Sequence, residues 1–282
     1  MKKISTLIFA FLFIVPAIFA QVDYISVKDY MAMLKTDKNL ITINADKEKD
    51  YQTSHITGSI LFSYKDTDKA GDIKGMLKDS KEMASLLGAA GISHTNTIVV
   101  YDGGTQKYST RMYWILKYLG APNVLLLHKD LDSWRQARVP LTAVATNLPA
   151  TTFELNVNSC LLANIDLVKT AVDNPAIALI DVRTTAEFDG SDGKSNGHIP
   201  AAININFEDF LTTNGAFKTK EEITAITEKA GISSDKEVIL YCQTSIRGAV
   251  SFFVFKNILE FEKVKLYDGA IEEWQVYNPL TK

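Results

Sequence analysis

Cysteine and histidine are scarce in this chain: two and four, respectively, in 282 residues. Two thiols cannot build a disulfide scaffold or a cysteine-rich zinc or iron–sulfur site, and neither HExxH nor any paired ligand spacing links the histidines. No metal and no cofactor is therefore expected. An excess of positive charge is also lacking. With 30 Lys and Arg against 33 Asp and Glu, the formal net charge is −3, which leaves no basic field for a polyphosphate backbone and argues against nucleic acid as a partner. Nor is the composition that of a disordered chain, since 46% hydrophobic and 22% charged residues is an ordinary globular balance. The length suggests two domains.

The apolar run Leu7 to Val15 falls short of the ~20 residues that span a bilayer, and Pro16 breaks it. Lys2 and Lys3 precede it and Ala17-Ile18-Phe19-Ala20 follow, the order of a secretory signal. Cleavage after Ala20 is expected, leaving a soluble, acidic, exported protein, periplasmic or secreted, with no stable membrane association.

What the chain does contain is one unit twice. Thr97 to Asp102 recurs as Glu237 to Cys242, Gly91-Ile92-Ser93 as Gly231-Ile232-Ser233 and Trp134 as Trp274, all 140 positions apart. His55-Ile56 recurs as His198-Ile199 at a spacing of 143, and Asp50-Tyr51 as Glu187-Phe188 at 137. The spacing changes only across polar loops such as 190–195. Within the second copy, apolar strands (176–182, 237–241, 264–267) alternate with amphipathic helices (220–230, 247–259), which predicts an α/β domain with a mainly parallel sheet. The expected organisation is a signal at 1–20, a first domain at 21–143, a linker at 144–153 within the small-residue stretch Thr142 to Thr152, and a second domain at 154–282.

The candidate chemistry sits at Cys242. It follows a strand and precedes a helix, in the run Tyr241-Cys242-Gln243-Thr244-Ser245-Ile246-Arg247-Gly248. A loop from Cys242 to Arg247 that enters a helix offers several backbone N–H groups the helix cannot use, and these favour negative charge at the loop's centre. A thiol there is expected to ionise readily, with Arg247 adding a permanent cation. A small buried hydrophobe is the alternative reading of Cys242. The first copy has Asp102 at this place, followed by a loop of different length, so one reactive and one degenerate copy are expected.

These strings carry a resemblance. LIDVRTTAEF (179–188), GHIPAAINI (197–205), YCQTSIRG (241–248) and LYDGAIEEW (266–274) resemble a rhodanese domain. The paired arrangement is similar to the tandem thiosulfate and 3-mercaptopyruvate sulfurtransferases, in which an inactive copy precedes an active one. The resemblance implies two tandem rhodanese-like α/β domains. It implies that Cys242 accepts a sulfane sulfur from a small donor as a persulfide. The sulfur then passes to a low-molecular-weight thiol, a thioredoxin-like protein or cyanide. Gln243, Thr244, Ser245, Ile246 and Arg247 would form the loop around it. Asp181 and Arg183 resemble the family's supporting pair, and read equally as a structural ion pair. Glu187 is expected to pair with Arg247.

Three residues depart from the pattern. Ser245 stands where the family usually has Gly, Thr244 where thiosulfate-preferring members carry a basic residue, and Glu187 where tandem members often carry arginine. The two missing charges weaken thiosulfate as the donor. Thr244 matches the hydroxyl position of mercaptopyruvate-preferring relatives, but Gln243 and Arg247 do not complete that pattern, so the donor stays open. His198 is expected to be structural rather than a base, and Trp134 and Trp274 to be core anchors. Cys160 is expected to be a packed thiol, with a bridge to Cys242 as the alternative in an oxidising compartment. A cysteine phosphatase would need C-x5-R; the four residues between Cys242 and Arg247 make a smaller ring, suited to a single sulfur atom. A persulfide carrier without turnover is the other alternative.

Overall fold

Each half of the chain builds the same parallel sheet. The computed structural model describes residues 23–104, 106–129 and 131–282, so the expected export signal lies outside the described residues. In the first half the strands are β1 (Tyr24–Ile25), β2 (Leu40–Asn44), β3 (Ile60–Leu61), β4 (Thr97–Tyr101) and β5 (Val124–Leu127), in the order β3-β2-β4-β5-β1. The second half repeats them as β6 (Leu162–Ala163), β7 (Ile177–Asp181), β8 (Ile203–Asn204), β9 (Glu237–Tyr241) and β10 (Val264–Tyr267), in the order β8-β7-β9-β10-β6. All pairings within these two sheets are parallel. The central strands are covered on both faces, so β4 and β9 read as continuous runs of Val, Ile and Leu rather than alternating ones.

Equivalent side chains perform equivalent structural tasks. The Tyr101 hydroxyl accepts the Ile56 amide at 2.8 Å, and that of Tyr241 accepts the Ile199 amide at 3.2 Å. His55 stacks on Tyr51 and His198 on Phe188, each with ring centroids 3.6 Å apart. His198 Nδ1 donates to the Phe188 carbonyl at 2.9 Å, which fixes it as the structural residue the sequence suggests. Trp274 is buried and its Nε1 donates to the Pro279 carbonyl, while Trp134 is half-buried against Tyr101.

Helix α1 (Lys107–Tyr118) of the first half and α3 (Ile246–Phe253) of the second, the two that follow β4 and β9, pack on each other. Tyr113 meets Phe253 edge-on at 4.9 Å, and the apolar core runs without a break through both halves. The expected helix 247–259 begins at Ile246 and widens after Phe253 into a π-helical turn, Val254–Ile258. That turn places the buried Phe255 edge-on to Phe210 and Phe261. Residues 144–153 run over the first half, where Thr151 donates to the Gly88 carbonyl at 2.8 Å and Phe153 is buried.

Candidate active site

The register of β7 and β9 sets Tyr241 beside Asp181, so the chain leaving β9 and the chain leaving β7 emerge together at the C-terminal edge of the sheet. Cys242 is the first residue past β9. The expected loop of residues 243–247 is shorter in the structure, because Ile246 and Arg247 already form the first turn of α3. Ser245 makes the change of direction possible. Its φ is +58°, the left-handed region in which glycine is at ease, and its hydroxyl, fully buried, donates to the Tyr267 carbonyl. The strained backbone costs of order 1–3 kcal/mol, and the buried hydrogen bond offsets about 1 kcal/mol of it.

The sulfur lies among named partners. Cys242 is 1% exposed, and the Arg247 guanidinium interacts with its side chain. Glu187 receives Arg247 bidentately, at 2.7 and 2.8 Å, as expected from the sequence. That hydrogen-bonded cation holds the Glu187 carboxyl down at about 2, below its ordinary 4.5. Burial opposes the Arg247 charge, but the Glu187 hydrogen bonds and the neighbouring thiol outweigh it and hold the guanidinium more firmly protonated than usual. Glu187 is itself fixed by helix α2 (Thr185–Asp189), where it closes a capping box with Thr184.

Asp181 and Arg183 form a fully buried pair, with Nη2 2.7 Å and Nε 3.0 Å from the carboxylate. Burial opposes the Arg183 charge too, and the Asp181 carboxylate overcomes it. The pair is structural, yet it reaches the loop, since Arg183 Nη1 lies 3.4 Å from Gln243 Oε1. Gln243 Nε2 donates to Glu272 at 2.7 Å, and the amides of Ile271 and Glu272, at the start of α4 (Ala270–Tyr277), donate to the carbonyls of Cys242 and Gln243. Arg183, Glu187, Lys194, Gln243, Arg247 and Gln275 line part of a cleft of about 300 Å³.

The first half supplies an internal comparison. Asp102 occupies the place of Cys242, and its carboxylate accepts the amides of Gly104, Gln106, Tyr108 and Ser109 at 2.9–3.1 Å and the Ser109 hydroxyl at 3.0 Å. The left-handed residue that starts this helix, Gln106 at φ +61°, comes one residue later than Ser245 does, so the loop is longer. Asp46, just past β2, accepts the Gly103 amide of this loop at 2.9 Å, and burial, then the nearby Asp102, pushes its carboxyl up to about 6. The fold thus builds an anion-binding turn after this strand, here filled by its own side chain. In the second half, among the described residues, the amides of residues 243–248 meet no protein oxygen.

One expectation is corrected. Cys160 is not packed but exposed, because the short turn Ser159–Leu161 buries Leu161 instead, and both cysteines are free thiols. Among the described residues, no group of three His, Cys, Asp or Glu side chains is placed to hold a metal ion. The motif LYDGAIEEW contributes more than its string suggests, since its turn Tyr267–Glu272 grips the loop at Ser245, Cys242 and Gln243. Nothing in the sequence points to Gly75 of the first half at the site, yet an added Cβ there would lie 2.8 Å from Thr244 Cβ. Gly75 and Gly215 are 140 positions apart, so the repeat spacing marks them as equivalent turn glycines, though not as contacts of the loop.

Comparison with known proteins agrees with this geometry. A protein of Mycolicibacterium smegmatis, whose name marks it as a candidate thiosulfate sulfurtransferase, is 29% identical over 258 residues, covering 88% of this chain and 91% of the relative. The sulfur carrier protein TtuD of Thermus thermophilus is 29% identical over 242 residues, covering 79% of this chain and 83% of that one. The 3-mercaptopyruvate sulfotransferase SseA of Escherichia coli superposes with a TM-score of 0.80 at 26% identity, covering 88% of this chain and 98% of SseA. The Rhodanese-like domain family matches residues 26–137 and again 164–276, and the chain belongs to it as a tandem rhodanese-domain sulfurtransferase.

Proposed function

We propose that Cys242 carries the transferred sulfur as a persulfide. The supporting observation is the contrast between the two strand-to-helix turns: one is closed by the Asp102 carboxylate, while in the other the amides that follow the Cys242 thiol meet no protein oxygen among the described residues. The Cys242 thiolate attacks the outer sulfur of the donor and forms an S–S bond. The donor's bond to that sulfur breaks, and sulfite leaves from thiosulfate or pyruvate enolate from 3-mercaptopyruvate. An acceptor thiolate, or cyanide, then takes the outer sulfur and returns Cys242 as thiolate, a two-step exchange. The loop amides and Arg247 stabilise the negative charge on the persulfide and on the leaving group. Relatives named for each of the two donors support this donor class without choosing between them. The basic start and short apolar run of residues 2–20 support export to the periplasm or beyond.

A carrier that surrenders its sulfur only to a dedicated protein is a second reading, favoured by the 1% exposure of Cys242 and by the likeness to a named sulfur carrier. Incubation with thiosulfate or 3-mercaptopyruvate, followed by intact mass, should show one added sulfur atom in the wild type and none in Cys242→Ser. Addition to the serine variant, or no addition from either donor, overturns the proposal. Multiple turnover on small thiols or cyanide selects the enzyme over the carrier.

A further inference from the structure

Each half of the molecule lays a hairpin against the strand-to-helix turn of the other. In the first half, the hairpin bridged at Asp68 and Leu77 brings Gly75 to Thr244 of the Cys242 loop. In the second, the hairpin bridged at Leu211 and Phe217 brings Gly215 to Gly104 and Gln106 of the Asp102 loop. The two glycines have nearly the same φ, +80° and +79°.

The Gly75 hairpin is tied down from both halves. Asp268, directly after β10, accepts the Leu77 amide at 2.8 Å and Arg111 Nη2 at 2.5 Å, and Arg111 Nη2 also reaches the Gly75 carbonyl at 3.1 Å. Arg111, on α1, is fully buried, and among the described residues its Nε and Nη1 have no hydrogen-bond partner. Its neighbour in that clamp, Asp268, belongs to the same turn whose Tyr267 carbonyl holds Ser245 and whose Ile271 and Glu272 amides hold the Cys242 and Gln243 carbonyls. A continuous set of contacts therefore runs from Arg111 and Gly75 through Asp268 to the backbone around a sulfur that is almost fully covered.

We infer that the hairpin 68–77 of the first domain is a positioning element for the Cys242 loop, with Gly75 its contact and Arg111 and Asp268 its clamp, and that it limits access to the sulfur. This role rests on the sulfur-transfer reading. A methyl group at Gly75 would lie 2.8 Å from Thr244 Cβ and 3.0 Å from its carbonyl oxygen, so something must move. The hairpin is the softer side, because Lys74 and Gly71 are exposed whereas the loop leads into a buried helix. At Gly215 the same methyl would meet only contacts of 3.5–3.8 Å.

The test compares Gly75→Ala with Gly215→Ala in the full chain on a Cys160→Ser background, with thermal unfolding to establish that both fold. Two rates are read by intact mass: alkylation of Cys242 by iodoacetamide, and sulfur uptake from the donor that loads the wild type. Gly75→Ala should alkylate about tenfold faster and take up sulfur about tenfold more slowly, as expected for a displaced reacting group. Gly215→Ala should stay within about twofold of the parent in both, since its backbone cost is the same and its contact is not on the reactive loop. If Gly75→Ala does not fold, Asp268→Asn, which releases the clamp while keeping an acceptor for Leu77, serves as the test with the same expected directions. Alkylation at or below the parent rate, unchanged sulfur uptake, or equal changes in the two glycine variants overturns the inference. A parent protein that alkylates at Cys242 yet takes up no sulfur overturns the sulfur-transfer reading instead.

Discussion

Replacing Glu187 by Gln removes one charge from the pair that anchors Arg247 beside the thiol. The carboxyl is held at about 2 instead of 4.5. At about 1.4 kcal/mol for each factor of ten in proton affinity, that difference is worth about 3 kcal/mol when Glu187 is ionised in both folded and unfolded chains. Both side chains are 22% exposed, so solvent screens part of it, and the amide retains one hydrogen bond; a loss of about 1–2 kcal/mol at neutral pH is expected. The carboxyl is lowered on folding, so its contribution is complete above pH 4.5 and drains away as pH falls toward 2. Urea unfolding of wild type and variant should therefore show a stability gap at neutral pH that shrinks to less than about half at pH ~3. Sulfur uptake by the variant should slow roughly tenfold, since Arg247 loses the partner that fixes its position. A gap of equal size at both pH values, or uptake at the wild-type rate, would refute the reasoning.

Ser245 separates backbone strain from hydrogen bonding. Ser245→Ala keeps the left-handed φ and strands the Tyr267 carbonyl, whereas Ser245→Gly strands the carbonyl but relieves the backbone, so Ala should be the less stable by about 1 kcal/mol in urea unfolding. In the first half, Asp102→Ala removes the acceptor shared by four amides and a hydroxyl. The variant should be destabilised by about 3 kcal/mol or more, and sulfate should raise its unfolding temperature more than that of the wild type. Equal responses to sulfate would show that the turn does not accept anions.

Much of this was legible because the chain repeats itself. Strands Glu237–Tyr241 and Val264–Tyr267 lie where the apolar runs put them, since a strand buried on both faces has sharp compositional edges. The Glu187–Arg247 pair was legible too, as two opposite charges at motif positions that the fold brings together. The start of α3 at Ile246 was not, because it depends on Ser245 adopting a positive φ, which a serine does not announce. Cys160 was misread because hydrophobicity alone does not say which residue of a short turn faces inward, and there Leu161 does. The contacts of Gly75, Arg111 and Asp268 come from how the halves dock, a long-range property that no local pattern encodes.

The Asp102 turn also bears on how two copies of one fold can meet the same backbone demand in different ways. A ring of inward-facing amides is a standing demand for negative charge, whether or not any reactant visits. In the first half the Asp102 side chain meets that demand from within and relieves the backbone of its dependence on a guest. Closure of this kind leaves the scaffold sturdier than a bare vacancy would. Asp102 alone would not be enough to undo, because the extra residue before Gln106 has already resized the ring.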